Sequence, residues 1–453
     1  MSAPPLLPQI IHLPLELLIE IFYLATYNPT RNLDSLVLSA PFESIYANDE
    51  KAQFSEALQT KYSLALVCSL FRKLSLQFMY EDIWIRHGSC GLLESLKNSK
   101  VGSQEGLGKF VRRVSLSAVW FAVAGLRYGS IIRNARHILL HCPNIRIISQ
   151  LQENVIQDKD SIEDGIPSID DLQFPLLQRV DWKNPLYSYS PSDDGPSPFP
   201  PYSPRFIWTC TTLRVLHVGA GNFPVPWDTQ ATAPQVSLPN VHTLGISSLS
   251  AFGVGLPHFP IALPALRRLV VSRPEALHNL FDGGLLPFGA QITHLEIGAA
   301  AEFLRQDFVA SLLGYCPNTT DLYIPISSTL PTRPNRVPEQ RVAYAVERVY
   351  LHAGHTATEP GAGFTYGTSE SAWRVLSFSH IASLCGETTR FSRLQKITLC
   401  GTMWKEIVVD EQFEWPLHMT RVRGIELVSD DTEVQSLLLP LLHPAADGIE
   451  LTR

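Results

Sequence analysis

One six-residue pattern recurs along most of this 453-residue chain and constrains its fold more than any other feature. It consists of an apolar residue, two variable residues, an apolar residue, one variable residue and a further apolar or aromatic residue. The units are Val111-Arg-Arg-Val114-Ser-Leu116, Ile145-Arg-Ile-Ile148-Ser-Gln150, Leu177-Gln-Arg-Val180-Asp-Trp182, Leu213-Arg-Val-Leu216-His-Val218 and Val241-His-Thr-Leu244-Gly-Ile246. They continue as Leu266-Arg-Arg-Leu269-Val-Val271, Ile292-Thr-His-Leu295-Glu-Ile297, Thr319-Thr-Asp-Leu322-Tyr-Ile324, Val346-Glu-Arg-Val349-Tyr-Leu351, Leu394-Gln-Lys-Ile397-Thr-Leu399 and Val422-Arg-Gly-Ile425-Glu-Leu427. Successive first positions lie 34, 32, 36, 28, 25, 26, 27, 27, 48 and 28 residues apart. Each unit predicts a short strand with alternate apolar residues facing inward, and no single unit can bury that face without its neighbours. Stacked units therefore share one continuous core.

The spacing is that of leucine-rich repeats. It predicts an α/β fold over residues 105–453, an irregular solenoid with parallel strands on the concave face and helices or loops outside. Cys142-Pro143-Asn144 and Cys316-Pro317-Asn318 each follow an apolar run and precede a unit, the order expected of a helix, a stop and a strand. Two stretches break the rhythm, the Pro/Ser-rich 184–205 and the Gly/Thr-rich 352–370, and are expected to be loop insertions. A chain with 45% hydrophobic and 17% charged residues can fill such a core.

Residues 1–90 have a different texture. Pro14 opens an uninterrupted apolar run that predicts a helix over 15–26. Glu16 and Glu20 share one of its faces, whereas Leu15, Leu17, Leu18, Ile21, Phe22 and Leu24 occupy most of the remaining circumference. A helix so widely apolar in a small module needs a second surface to cover it, such as a partner. A second helical run over 60–80, with Leu64, Val67, Phe71 and Leu74 at helical spacing, ends in Tyr80-Glu81-Asp82-Ile83-Trp84-Ile85. Between the two runs lies a more polar insertion at 27–60.

This segment resembles the F-box family. Leu13-Pro14, Glu16-Leu17-Leu18 and Ile21-Phe22 match the family's first half; Leu66-Val67-Cys68, Phe71 and the segment 80–85 match its second, and the insertion departs from it. The resemblance covers about a sixth of the chain. It implies docking on the Skp adaptor of a cullin-RING ubiquitin ligase, with the repeats capturing a target whose identity the sequence does not reveal. Leu13, Pro14, Leu17, Leu18 and Ile21 would supply the first helix's adaptor contact, and Val67, Cys68, Phe71, Ile83 and Trp84 the remainder. An F-box joined to irregular leucine-rich repeats also resembles a large group of proteins in mushroom-forming fungi. A competing reading is a repeat scaffold without a ubiquitin role, its N-terminal helices serving as a solenoid cap.

Nothing in the sequence predicts an enzyme, a cofactor or a metal centre. There is no G-x-S-x-G elbow, Walker A loop or G-x-G-x-x-G turn. His137 and His141 are four apart, but Ile138 stands where a zinc protease places its glutamate. Asp170-Asp171 and Asp193-Asp194 fall in loop-like contexts, where they read as solvated surface. The seven cysteines, at 68, 90, 142, 210, 316, 385 and 400, contain no C-x-x-C pair and are expected to be reduced thiols. A net charge of −7 with no long basic run gives no electrostatic footprint for nucleic acid and argues against a dedicated nucleic-acid binder. The absence of a signal pattern or a long apolar span predicts a cytoplasmic or nuclear protein without membrane attachment. Ser190-Pro191, Ser197-Pro198 and Ser203-Pro204 are candidate phosphorylation sites or an unmodified spacer.

Overall fold

The computed structural model describes residues 13–26, 42, 50–85, 89–100, 106–117, 129–151, 172–182, 205–218, 236–246, 261–271, 288–298, 309–326, 343–353, 370–386, 390–401 and 403–442. At its centre lies a parallel sheet of twelve strands. These are β1 Asp82–Ile85, β2 Arg113–Ser117, β3 Ile147–Leu151, β4 Arg179–Trp182, β5 Val215–Val218, β7 Thr243–Ile246, β9 Arg268–Val271, β10 His294–Ile297, β11 Asp321–Pro325, β12 Arg348–His352, β13 Lys396–Cys400 and β14 Glu426–Ser429. The short β6 Val236–Ser237 and β8 Ile261–Ala262 form a separate parallel pair. Otherwise each strand pairs with the next in the chain, as stacked repeats require, because every crossover returns the chain one rung further along the same sheet.

The register explains why the repeat pattern was visible. Ile83, Val114, Ile148, Val180, Leu216, Leu244, Leu269, Leu295, Leu322, Val349, Ile397 and Leu427 form one continuous row across all twelve strands. All are buried in a single core, each contributing roughly 1.5–3 kcal/mol relative to exposure. Ten of them are the fourth residue of a unit read from the sequence. The final unit is displaced by two residues: Leu427, not Ile425, pairs with Ile397, and Val422 ends the helix Glu414–Val422, 68% exposed. A two-residue slip leaves every side chain on its original face, so alternation alone cannot detect it. Gly424, at φ 65°, closes that helix and sets the true start of the unit. At the other end the sheet begins at Asp82, inside the segment assigned to the helical head, so Tyr80 to Ile85 is itself the first repeat unit.

A second recurrent contact fixes the residue before each strand. The Arg112 carbonyl accepts the N–H groups of both Arg146 and Ile147, at 2.8 and 3.0 Å. The same doubled contact recurs at the carbonyls of Arg146, Gln178, Arg214, His242, Arg267, Thr293, Thr320 and Glu347. Asparagine adds a clasp between neighbouring repeats. Asn144, Asn240 and Asn318 donate through Nδ2 to the Lys109, Thr211 and Ala290 carbonyls at 2.9, 2.7 and 2.7 Å. The Asn of the two Cys-Pro-Asn joints thus binds the preceding turn across the repeat boundary, a role beyond tolerance of turn geometry.

The head consists of α1 Leu15–Ala25, α2 Glu50–Val67 and α3 Ser69–Glu81. The second helical run is divided at Cys68, whose extended backbone (φ −161°, ψ 172°) separates α2 from α3. Its sulfur accepts the Phe71 N–H at 3.5 Å and so caps α3. Of the expected insertion, residues 50–60 belong to α2 and Phe42 is described singly; the remainder lies outside the described residues. Among the described residues eight further helices follow: α4 Cys90–Asn98, α5 Gly129–Leu140, α6 Arg205–Thr209, α7 Val309–Tyr315, α8 Glu370–Cys385, α9 Trp404–Val408, α10 Glu414–Val422 and α11 Thr432–Leu442. Their apolar faces, through residues such as Leu96, Ile138, Leu312, Ile381 and Trp404, close the core against the ladder row. The 184–205 and 352–370 insertions, with the Ser-Pro pairs, lie outside the described residues, except that Arg205 opens α6, His352 ends β12, Ala353 follows it and Glu370 opens α8. The Asp170-Asp171 and Asp193-Asp194 pairs also lie outside them.

Candidate functional site on the N-terminal helices

Within the head, α1 meets α3 through an aromatic contact. Phe22, the only buried side chain of α1, meets Phe71 of α3 edge to face, with ring centroids 4.8 Å apart. Thr26 closes the helix by donating to the Phe22 carbonyl at 2.6 Å. Leu18 and Ile19 are half-buried, and much of the remaining apolar circumference faces solvent: Leu13, Leu15, Leu17, Ile21 and Leu24 are exposed on α1 or its approach. On the other side of the Phe22–Phe71 contact, the α2–α3 junction exposes Leu66 (84%), Val67 (62%) and Leu70. Leucines and valines at this density on two adjoining elements are not the scattered apolar residues of an ordinary surface.

Of the sequence-predicted contact set, Leu17, Leu18 and Ile21 lie on α1, Val67 and Cys68 at the α2–α3 junction and Phe71 on α3, where it meets Phe22; Leu18 and Phe71 are half-buried and the others exposed. Leu13 and Pro14 stand exposed at the start of α1, where the Pro14 carbonyl accepts the Leu18 N–H at 3.1 Å. Two predicted residues belong elsewhere. Ile83 is 5% exposed on the first rung of the sheet core, so it supports the strand and presents no surface. Trp84 points to the opposite face, where its ring stacks on Phe54 of α2 at 4.0 Å. The apolar-x-apolar pattern of 83–85 served the repeat, which a motif read in isolation did not separate from a partner contact.

The sheet face turned away from the helical core is a second feature. Its residues flank the ladder row, and many are charged yet buried. Arg179 donates Nε to both Asp181 oxygens at 3.0 and 2.9 Å, and His217 Nδ1 lies 3.2 Å from Asp181. Gly245 opposite leaves room for the His217 ring, which a Cβ there would approach to 2.4 Å. Arg268 pairs with Glu296 and lies over the Tyr323 ring at 5.1 Å. Arg348 grips Asp321 with two bonds of 2.5 and 2.7 Å. Burial opposes the Asp321 charge, but Arg348 and the Thr320 hydroxyl outweigh it and hold the carboxyl below the usual range. The sequence showed these charges at strand positions; Arg179 and Asp181 meet within one strand, but which of the others meet depends on register between neighbouring repeats.

Phe42 reaches this face from the insertion. It is 1% exposed and packs on Tyr323 and His352, with centroids 6.0 and 4.9 Å away, beside Cys400. Tyr323 in turn stacks on Tyr350 at 4.2 Å. Phe42 has φ 58°, the only positive φ on a non-glycine residue among the described residues, a conformation that tertiary packing must support. Burial pushes the His352 pKa down to about 4, so the folded protein holds the ring neutral. The unfolded chain, titrating near 6.5, takes up protons first as pH falls. His352 should therefore cost no stability above about pH 6.5 and remove about 3 kcal/mol between pH 6.5 and 4. Denaturant titrations of the parent and His352→Phe across that window should diverge as the pH drops; parallel curves would show that the ring is not held neutral.

The thiols in the core are poor nucleophiles, since burial pushes Cys142 and Cys316 up to about 12 and Cys385 up to about 11. His137 is exposed, and burial with nearby lysines lowers His141. Among the described residues no group of three or more His, Cys, Asp or Glu side chains converges to hold a metal. No described helix is long and apolar enough to cross a membrane. Comparison with protein-family models and with the curated proteins found no match to this chain.

Proposed function

We propose that this chain is a non-catalytic recruitment adaptor of a cullin-RING ubiquitin ligase, docking on a Skp-type adaptor through α1 and the α2–α3 junction and capturing a target protein with the repeat region. The observation that carries this reading is the apolar surface left open around the Phe22–Phe71 contact, formed by the residues whose order resembles an F-box. A partner that covers it gains the transfer free energy of those side chains, about 25 cal/mol for each Å² buried. Catalysis in such an assembly is proximity: the target is held near the ubiquitin-charged enzyme, and no residue of this chain transfers anything.

A specific observation favours the capped-scaffold reading as well. β1 pairs with β2, so the head covers the first edge of the sheet that would otherwise be open. Capping, however, requires only the inward side of the head and leaves the outward leucines without a role. For the same reason, cutting the chain at residue 90 removes β1 and strips an edge, a poor test. The full-length chain should instead be titrated with a Skp-type adaptor by calorimetry. Stoichiometric binding is the expected result; a folded chain that releases no heat and does not co-elute with the adaptor favours the scaffold.

A further inference from the structure

The doubled carbonyl contacts place one residue of each repeat in a single file along the strand entrances, and from β2 to β9 that file reads Arg112, Arg146, Gln178, Arg214, His242, Arg267. Five steps of about 4.8 Å make it about 24 Å long. Arg214 and Arg267 are exposed and Arg112, Arg146 and His242 half-exposed. One position inward, the fold neutralises its arginines: Arg179 with Asp181, Arg268 with Glu296, Arg348 with Asp321. In the outer file no arginine forms an ion pair with any described residue; Arg267 donates to the carbonyl of its neighbour Leu266 at 2.8 Å. Like charges accumulate instead. After burial, Arg146 is the main influence lowering Arg112, against the opposing charge of Glu81 at the start of the file, and Arg214 and Arg268 lower His242.

We propose that this file is a docking track for an extended acidic peptide. Guanidiniums spaced along a rigid edge match carboxylates on a strand-like segment, and Arg binds carboxylate with paired hydrogen bonds. The track ends within the sheet, because the following entries are Thr293, Thr320 and Glu347. Its length suits about seven extended residues at about 3.3 Å each. Nucleic acid fits less well: among the described residues no Phe, Tyr or Trp stands in the file as a stacking platform, its one ring being the His242 imidazole, and the net charge of −7 repels a long polyanion. For its biological meaning the proposal rests on the recruitment reading, with the bound segment belonging to the target. The binding itself is measured on the full chain without any adaptor, so the two ideas fail separately.

The probe is a fluorescein-labelled decapeptide of alternating Glu and Ser, followed by anisotropy. Saturable binding is expected, weakening with added salt and absent for the Gln/Ser counterpart. The pair Arg146→Glu, Arg214→Glu should weaken it by about tenfold or more, and the milder Arg146→Gln, Arg214→Gln should give an intermediate loss while the melting temperature stays unchanged. Equal binding by parent and charge-reversed protein, or no binding by the folded parent, overturns the proposal. Tighter binding of a single-stranded oligothymidylate of equal charge overturns it in favour of a nucleic-acid surface.

Discussion

Replacing Leu17 and Val67 together by Asp is expected to abolish capture of a Skp-type adaptor while moving the melting temperature by no more than about 2 °C. Both side chains are more than half exposed in the free chain, so the folded protein gains little from them. In a complex that covers them, each contributes roughly 1.5–3 kcal/mol as an apolar group, and a carboxylate in its place adds a desolvation cost. Two such losses exceed about 4 kcal/mol, about a thousandfold in affinity. The neighbouring Phe22 is the wrong residue to change. It is buried against Phe71, and a charge there would detach α1, which both readings of the head predict to be harmful. The scaffold reading expects the Leu17/Val67 pair to matter only through folding. A protein that still binds the adaptor after the double substitution, or one that loses binding because it unfolds, would remove the partner role assigned to this surface.

Much of the architecture was legible because a solenoid writes its fold at a fixed offset. A buried row one residue wide must recur once per repeat, and Val114 to Ile397 could be read from that recurrence alone. The pattern became ambiguous at its ends. Ile83 was hidden inside a motif with another meaning, and Leu427 was read two places too late in its unit because Ile425 has the same parity on the strand. The open surface of the head was half legible: the apolar circumference of α1 announced that something must cover it, but not that Phe22 alone would face inward. The charged pairs on the far face and the contact of Phe42 with His352 were not legible. Arg268 and Glu296 stand one repeat apart, but alternation does not say which neighbouring charges meet, and no period relates Phe42 to His352.

Gly108→Ala is expected to cost about 3–5 kcal/mol, the largest effect of any single methyl group considered in this chain. Gly108 lies in the 3-10 turn Leu107–Phe110, and a Cβ built on it falls 1.8 Å from the His141 carbonyl oxygen and 2.8 Å from its carbonyl carbon. Side-chain rearrangement cannot relieve this overlap, because both atoms are backbone. Nor is either segment free to retreat. The Val111 N–H is bonded to the Gly108 carbonyl at 3.2 Å, the His141 and Cys142 N–H groups are held by Ile138 and Leu139, and Asn144 clasps the Lys109 carbonyl. The methyl must therefore separate the turn before β2 from the turn before β3. Gly91→Ala is the matched control: it meets nothing within 4 Å and lies in α4, where Ala is favoured over Gly by up to about 1 kcal/mol. In a repeat array the damage should be local, since each unit is coupled chiefly to its neighbours. Hydrogen exchange should accelerate at β2 and β3 while β11 to β13 keep their protection. The Glu/Ser peptide should also lose affinity, because Arg112 and Arg146 lean on the two turns forced apart, whereas the Leu17 and Val67 surface and its adaptor should be unaffected. A Gly108→Ala protein as stable as the parent would mean that these two turns are not in the close contact on which the spacing of the first arginines depends.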